Sequence, residues 1–273
     1  MSKKRILLSG IALVGLAFAC STNPFTGKST LNFVSNDQLF PSAFQQYDQF
    51  LKENKVITGT PDANRVSNVG MKIKAAAEKW LAANGQAGYL NGYQWEYKLV
   101  DDKAVNAWCM PGGKIVVYTG ILPITKDDAG LATVMGHEVS HALANHGAQR
   151  MSASQLQALG AVGVAVATGG QSAEKQQMWQ QYYGIGSNVG VMLPFSRSHE
   201  SEADMIGLTL MAIAGYNPDQ AVLFWERMSS KSGGQAPPEM LSTHPSDATR
   251  IANIKSLIPQ AKAEAKKFGV VFK

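Results

Sequence analysis

His137-Glu138-Val139-Ser140-His141 is an H-E-x-x-H pattern lying inside a predicted helix that Asp127 or Asp128 can cap and that runs to about Arg150. Histidines four apart on a helix lie about 40° apart around its axis, so both imidazoles reach one ion. Glu138, one residue on, stands close enough to act on water there without ligating the metal. Zinc suits such a nitrogen and oxygen donor set, and it lowers the pKa of its water to about 7. With 5 His and 10 Glu in 273 residues, chance supplies about 0.003 such patterns. The apolar neighbours Leu131, Val134, Leu143 and Ala144 mark a helix packed against a core, where two His and a Glu need a reason to be present.

A catalytic zinc keeps three protein ligands and one open position. A third His six residues past His141 is ruled out, since Gly147 stands there and Ala144 replaces the glycine that such a pattern wants. His146 falls on another face of the same predicted helix. The better source is Ser198-His199-Glu200-Ser201-Glu202-Ala203-Asp204. Glu200 and Asp204, four apart, share a helix face; a ligating Glu with an Asp one turn on, bonded to a ligand His, fixes imidazole orientation in zinc sites. Glu202 faces elsewhere on the same helix and reads either as a salt-bridge or helix-start charge or as a further site residue.

Outward from that core, Asn36 to Asn54 and Asp62 to Ala83 have helical apolar spacing, and Gly85 to Gly92 is a turn-rich break. Tyr93 to Val100, Val105 to Trp108 and Lys114 to Thr119 read as strands, the last two joined by Met110-Pro111-Gly112-Gly113. The Lys114–Thr119 strand is the expected edge on which an extended substrate adds. Leu156 to Gly170 is nearly all Ala, Val, Gly and Leu, and is too short for a membrane span. It reads as a buried core helix or as a hairpin tip leaning on a membrane or partner. Glu200 to Ala214 and a segment ending at Ser230 are further helices, Ser232 to Pro238 is a Gly/Pro loop, and the C-terminal part is helical and Lys-rich. There is no internal repeat to hold a client protein. The fold class is therefore α+β, mostly helical, with a small sheet beside the active-site helix.

Lys3, Lys4 and Arg5 precede the apolar run Ile6 to Ala19, and Cys20 follows. This pattern predicts an export signal over 1–19, a tether over 20–35 and one domain over 36–273. Those three cations supply most of the net charge of +5, leaving +2 beyond residue 19; nucleic-acid binding is excluded as a reading. Cys20 at the cleavage point suggests lipidation, while Ala17-Phe18-Ala19 also fits cleavage that leaves the thiol bare. Cys109 reads as a small buried hydrophobe.

The H-E-x-x-H pattern followed by E-S-E-A-D-x-x-G (Glu200 to Gly207) resembles the gluzincin family of the CAAX prenyl endopeptidase, HtpX, the mitochondrial OMA peptidase and the periplasmic BepA and LoiP proteins. Cys20 to Lys28, Asn106 to Gly120 and Leu241 to Arg250 are similar to further segments of that family, the first to the opening of its bacterial lipoproteins. The resemblance implies a zincin-like metallopeptidase domain with one Zn2+, held by His137, His141 and Glu200, with Glu138 as general base. It further implies that His244 steadies the oxyanion or fills the fourth zinc position in a resting form, with Asp204 and Arg250 in support. Its other implications are unfolded or misassembled envelope polypeptides as substrates, a membrane anchor through lipidated Cys20, and a place on the periplasmic side of the outer membrane. The contrasting expectation is a membrane-tethered chaperone or assembly factor whose zinc site His244 keeps latent.

Overall fold

The computed structural model describes residues 20–231, 239–244 and 248–272. The export signal over 1–19 and the loop over 232–238 lie outside the described residues. The chain divides into two compact units, one of residues 36–145 and 199–273, the other of residues up to 35 together with 146–198.

The larger unit begins with α1 (Asn36–Glu53), the short strand β3 (Val56–Ile57) and α2 (Pro61–Ala83). Thr60 caps α2 by accepting from the Ala63 amide at 3.2 Å, with Pro61 in the first turn where no amide hydrogen is needed. Val66, Val69, Ile73, Ala76, Ala77 and Trp80 are its buried stripe. Strands β4 (Glu96–Val100), β5 (Ala107–Met110) and β6 (Lys114–Tyr118) complete a sheet in the order β3-β4-β6-β5. β4 runs parallel to β6, and the other pairs are antiparallel.

The strand order departs from the expected one. β6 is an interior strand, every residue buried, and the edges are β3 and β5. The β5 strand also sits two residues later than expected, because Met110 pairs with Lys114 across a turn that Gly112 and Gly113 make with φ of 85° and 90°. Only those residues take this left-handed backbone without cost.

A short helix α3 (Leu122–Thr125) leads to α4 (Asp128–Leu143), whose Asp127 cap accepts from the Gly130 amide at 2.8 Å. Every residue from Gly130 to Leu143 is buried, so α4 is the central helix and is covered all round rather than on one side. It also ends earlier than expected. Asn145 has φ of 56°, and two tyrosines hold the terminus: Tyr89 Oη donates to the Leu143 carbonyl at 2.6 Å and Tyr93 Oη to that of Ala142 at 3.2 Å. The last carbonyls of a helix lack the amides of a following turn, and that of Ala142 also accepts from the Asn145 amide at 3.2 Å. The expected single helix to Arg150 is thus two helices, and His146 opens the second. The unit is completed by α7 (Leu193–Ile213), α8 (Asp219–Ser230), α9 (Glu239–Thr243) and α10 (Ala248–Lys267); α7 starts in the smaller unit and enters the larger at His199.

In the smaller unit Cys20–Thr22 (β1) and Ser29–Leu31 (β2) form an antiparallel pair with Cys20 opposite Leu31. Helices α5 (His146–Thr168) and α6 (Ala173–Ser187) make a hairpin. Tyr183 lies against Gly160 and donates to the Gln157 carbonyl at 2.9 Å, while Gln180 donates to the Ala161 carbonyl at 2.9 Å. The buried-core reading of Leu156–Gly170 is overturned: Leu159 and Val166 are 66% and 78% exposed. No local pattern marks α6 as a helix, because its glutamines blur the apolar spacing.

Tyr89→Phe removes the donor that satisfies the Leu143 carbonyl. It is expected to lower unfolding free energy by about 1–2 kcal/mol, read as a lower denaturant midpoint at unchanged slope.

Candidate metal centre

Helices α4 and α7 cross at two glycines. A Cβ on Gly207 would stand 2.9 Å from the His137 amide nitrogen and 3.0 Å from the Gly136 carbonyl carbon; one on Gly136 would stand 3.0 Å from the Gly207 carbonyl oxygen. The backbones therefore touch where His137 begins the motif. One to two turns before Gly207, Glu200 and Asp204 project from the facing helix onto the same spot.

His137, His141, Glu200 and His244 each offer a ligand atom, and these atoms lie within 4.8 Å of one another. The Nε2 atoms of His137 and His141 are 3.1 Å apart. His137 Nε2 is 3.2 Å from His244 Nδ1 and 3.3 Å from Glu200 Oε2. His141 Nε2 is 3.4 Å from Glu200 Oε1, and His244 Nδ1 is 2.8 Å from Glu200 Oε2. A tetrahedron of ligands about 2.0–2.1 Å from zinc has edges of about 3.3 Å. The donor set therefore fits that ion in kind, number and spacing. Three imidazole nitrogens and a carboxylate converging in a buried space are also costly unless a cation or protons lie among them.

The supporting groups reach the donors from behind. His137 Nδ1 is 2.9 Å from Asp204 Oδ1, which holds the proton on Nδ1 and turns the Nε2 lone pair toward the donor group. Arg250 grips Asp204 with two hydrogen bonds of 2.8 Å, from Nε and Nη2, and donates from Nη1 to the His244 carbonyl at 3.2 Å. The His244 amide donates to the Met240 carbonyl at 2.7 Å, and the Met240 amide to that of Val105 at 3.2 Å. The Arg250 guanidinium lies 3.8 Å from the Trp225 ring centre, and that ring meets His137 edge-on.

Burial opposes the charged form of His137, but hydrogen bonding to Asp204 and Glu200 outweighs it and raises its pKa to about 9. For Glu200 burial works upward, yet hydrogen bonds with His137 and His244 hold the carboxyl far below its ordinary range. Asp204 is likewise lowered, burial being overcome by Arg250 and His137.

Glu138 Oε1 is buried without a hydrogen-bond partner among the described residues. His244 Nε2 stands 3.5 Å from it. An orphaned carboxylate oxygen beside a donor group is what a base for incoming water requires.

The structure brings together His137, Glu138, His141, Glu200, Asp204, His244 and Arg250. Cys20 lies elsewhere, at the head of β1 in the smaller unit. Sequence reasoning missed Trp225, Tyr89 and Tyr93. Trp225 reads from sequence as one apolar position of an amphipathic helix, and nothing local marks its guanidinium contact. His146 is buried at the start of α5, and His199 is buried outside the donor group.

A family model described as Peptidase family M48 matches residues 71–258. The chain is 34% identical over 208 residues to the mitochondrial metalloendopeptidase OMA1 of Saccharomyces cerevisiae, covering 74% of this chain and 57% of that protein. It is 40% identical over 178 residues to the OMA1 metalloendopeptidase of Arabidopsis thaliana, covering 65% and 34%. The beta-barrel assembly-enhancing protease of Escherichia coli is 28% identical over 178 residues, covering 62% and 35%. The chain spans about half the length of the curated relatives it matches. These relatives overturn the outer-membrane lipoprotein placement, since mitochondrial proteins of fungi, a plant and animals stand first among them. A basic, acid-free start is common to export signals and mitochondrial targeting segments, so Lys3, Lys4 and Arg5 do not discriminate between them.

Two substitutions separate positioning from ligation. Asp204→Asn is expected to weaken zinc affinity by about 10–100-fold with the fold intact, measured by competition with a chelating dye. Gly207→Val drives a side chain into the α4 backbone; loss of both zinc binding and cooperative thermal unfolding is expected, followed by metal analysis and calorimetry.

Proposed function

The chain belongs to peptidase family M48, and from that premise we propose that it is a zinc metalloendopeptidase acting on unfolded or misassembled polypeptides. One observation carries the reading: a buried His137, His141, Glu200 and His244 donor group with the unpartnered Glu138 carboxylate oxygen beside it. Residues 36–273 are the proposed peptidase domain, with the donor group lying in the unit of residues 36–145 and 199–273.

His137, His141 and Glu200 are the proposed zinc ligands. Zinc, when bound, supplies Lewis acidity that polarises a carbonyl and makes water a nucleophile near neutral pH. Glu138 takes the proton of the attacking water onto Oε1 and later delivers it to the leaving amine. Asp204 keeps His137 in one tautomer and orientation, and Arg250 holds both Asp204 and the backbone carbonyl of His244. The edge strand β5 offers its free main-chain groups to a substrate added as another strand; such binding reads backbone more than side chains and suits clients of many sequences. Trp108 and Cys109 are each half-buried in that strand, so shallow side-chain selection accompanies the backbone pairing.

A second reading follows from His244, whose Nδ1 stands among the donors rather than apart from them. In that position it completes a closed four-ligand set, and the protein is a latent peptidase or zinc-bearing binding protein until the His244 turn moves. Released, the same imidazole steadies the oxyanion of the tetrahedral intermediate, a task commonly worth a few kcal/mol.

Glu138→Gln is expected to lower casein cleavage by about 10²–10⁴-fold with zinc content unchanged. Undiminished cleavage with zinc retained would sink the peptidase reading. His244→Ala divides the two states: faster cleavage marks a closed resting site, and slower cleavage with zinc retained marks oxyanion stabilisation.

A further inference from the structure

The smaller unit contrasts with the larger in charge and in surface. Among its described residues, 20–35 and 146–198, Glu174 is the sole Asp or Glu, against Lys28, Arg150, Lys175 and Arg197. Those described residues are thus net +3, while residues 36–145 and 199–273 together carry −1. From Met151 to Ser196 the only ionisable charges are Glu174 and Lys175. Every residue from Ala158 to Ala167 is Ala, Val, Leu or Gly, so this stretch of α5 has no polar side to turn to water. Leu159, Val162 and Val166 on α5, and Trp179, Tyr182 and Ile185 on α6, are all exposed.

An apolar surface of this extent has a partner. No described helix is long and apolar enough to cross a membrane. The all-apolar decade of α5 is about 15 Å long at helical rise, half the thickness of a bilayer's hydrocarbon. Arg150 and Arg197 stand near the two ends of the segment that forms the hairpin, both exposed, and Lys28 is tied to Ser198 by a 2.6 Å hydrogen bond. Cations therefore gather where the chain enters and leaves the hairpin, and the apolar surface lies between. An open, mostly apolar cavity of about 500 Å³, lined by Leu31, Leu156, Tyr183, Val191, Met192 and Phe195, lies in the same unit. A cavity of that size and lining has room for part of a flexible acyl chain.

We infer that the α5–α6 hairpin is a shallow membrane-docking element that inserts into one leaflet of an anionic phospholipid bilayer. The apolar residues enter the acyl region, and Lys28, Arg150 and Arg197 meet the headgroups, an arrangement of interfacial rather than spanning type.

The test uses the full chain with Cys20→Ser and Cys109→Ala, carrying an environment-sensitive nitrobenzoxadiazole label at Val166→Cys or, as a control, at exposed Lys79→Cys. With vesicles of phosphatidylcholine and phosphatidylglycerol at 3:1, the label at 166 is expected to brighten several-fold and shift to the blue while that at 79 stays aqueous. Phosphatidylcholine alone gives a weaker response, and added salt reduces only the anionic increment. Val162→Glu with Trp179→Glu is expected to lower vesicle partition by at least about tenfold with casein cleavage unchanged. A label at 166 that stays in water at saturating lipid overturns the inference, including the case where the chain reaches vesicles through residues 6–19 alone. So does a blue shift that needs no vesicles and follows protein concentration, which would mark a second copy as the partner.

Discussion

The backbone contact between Gly136 and Gly207 governs the geometry of the metal centre. It brings the axes of two buried helices closer than any other residue pair allows, and it does so beside His137. With the crossing fixed, one helix contributes two imidazoles and the other a carboxylate and its supporting aspartate, all aimed into one space. A methyl group on either glycine would push the helices apart by a few tenths of an ångström or more, a displacement comparable to the tolerance of a tetrahedral metal site. The glycine seven residues past Glu200 is therefore part of the site, although it offers no ligand atom.

Arg250 plays the second organising part. Its guanidinium is stacked on Trp225, paired with Asp204 and bonded to the carbonyl of His244, so one side chain ties α7, α8 and the His244 turn to α10. A buried cation in that position is tolerable because every direction it faces holds a carboxylate, a carbonyl or an aromatic face. The same connections make the donor group a single electrostatic assembly. A change at Asp204 is felt at His137 through the bond that orients it, and at His244 through the guanidinium they share.

What the sequence disclosed, and what it hid, follows from the range of the interactions. His137, Glu138 and His141 were legible because their spacing and the helix period are local facts, and Glu200 with Asp204 for the same reason. His244 and Arg250 stand on separate segments, and only family resemblance joined them to the site. The strand order was illegible: Lys114 to Tyr118 looked like an edge because nothing in its residues reveals that β5 folds back beyond it. The break at Asn145 was hidden too, since the donors that stabilise the helix end are Tyr89 and Tyr93, some fifty residues away. Leu156 to Gly170 has the composition of a core and the exposure of a surface, and hydrophobicity alone cannot distinguish the two. Mitochondrial relatives likewise corrected an outer-membrane placement read from Cys20 behind a basic, apolar start and from family resemblance.

The complete burial of α4 has a consequence for how the protein loses its metal. Amides on a helix with no solvent-facing side exchange their hydrogens only when the surrounding domain opens, so His137 and His141 sit in the slowest-exchanging part of the fold. Zinc bound there is coupled to the cooperative unfolding of the whole unit rather than to the fraying of a loop. Metal occupancy then adds folding stability that grows with the logarithm of free zinc, so zinc removal lowers thermal stability together with activity.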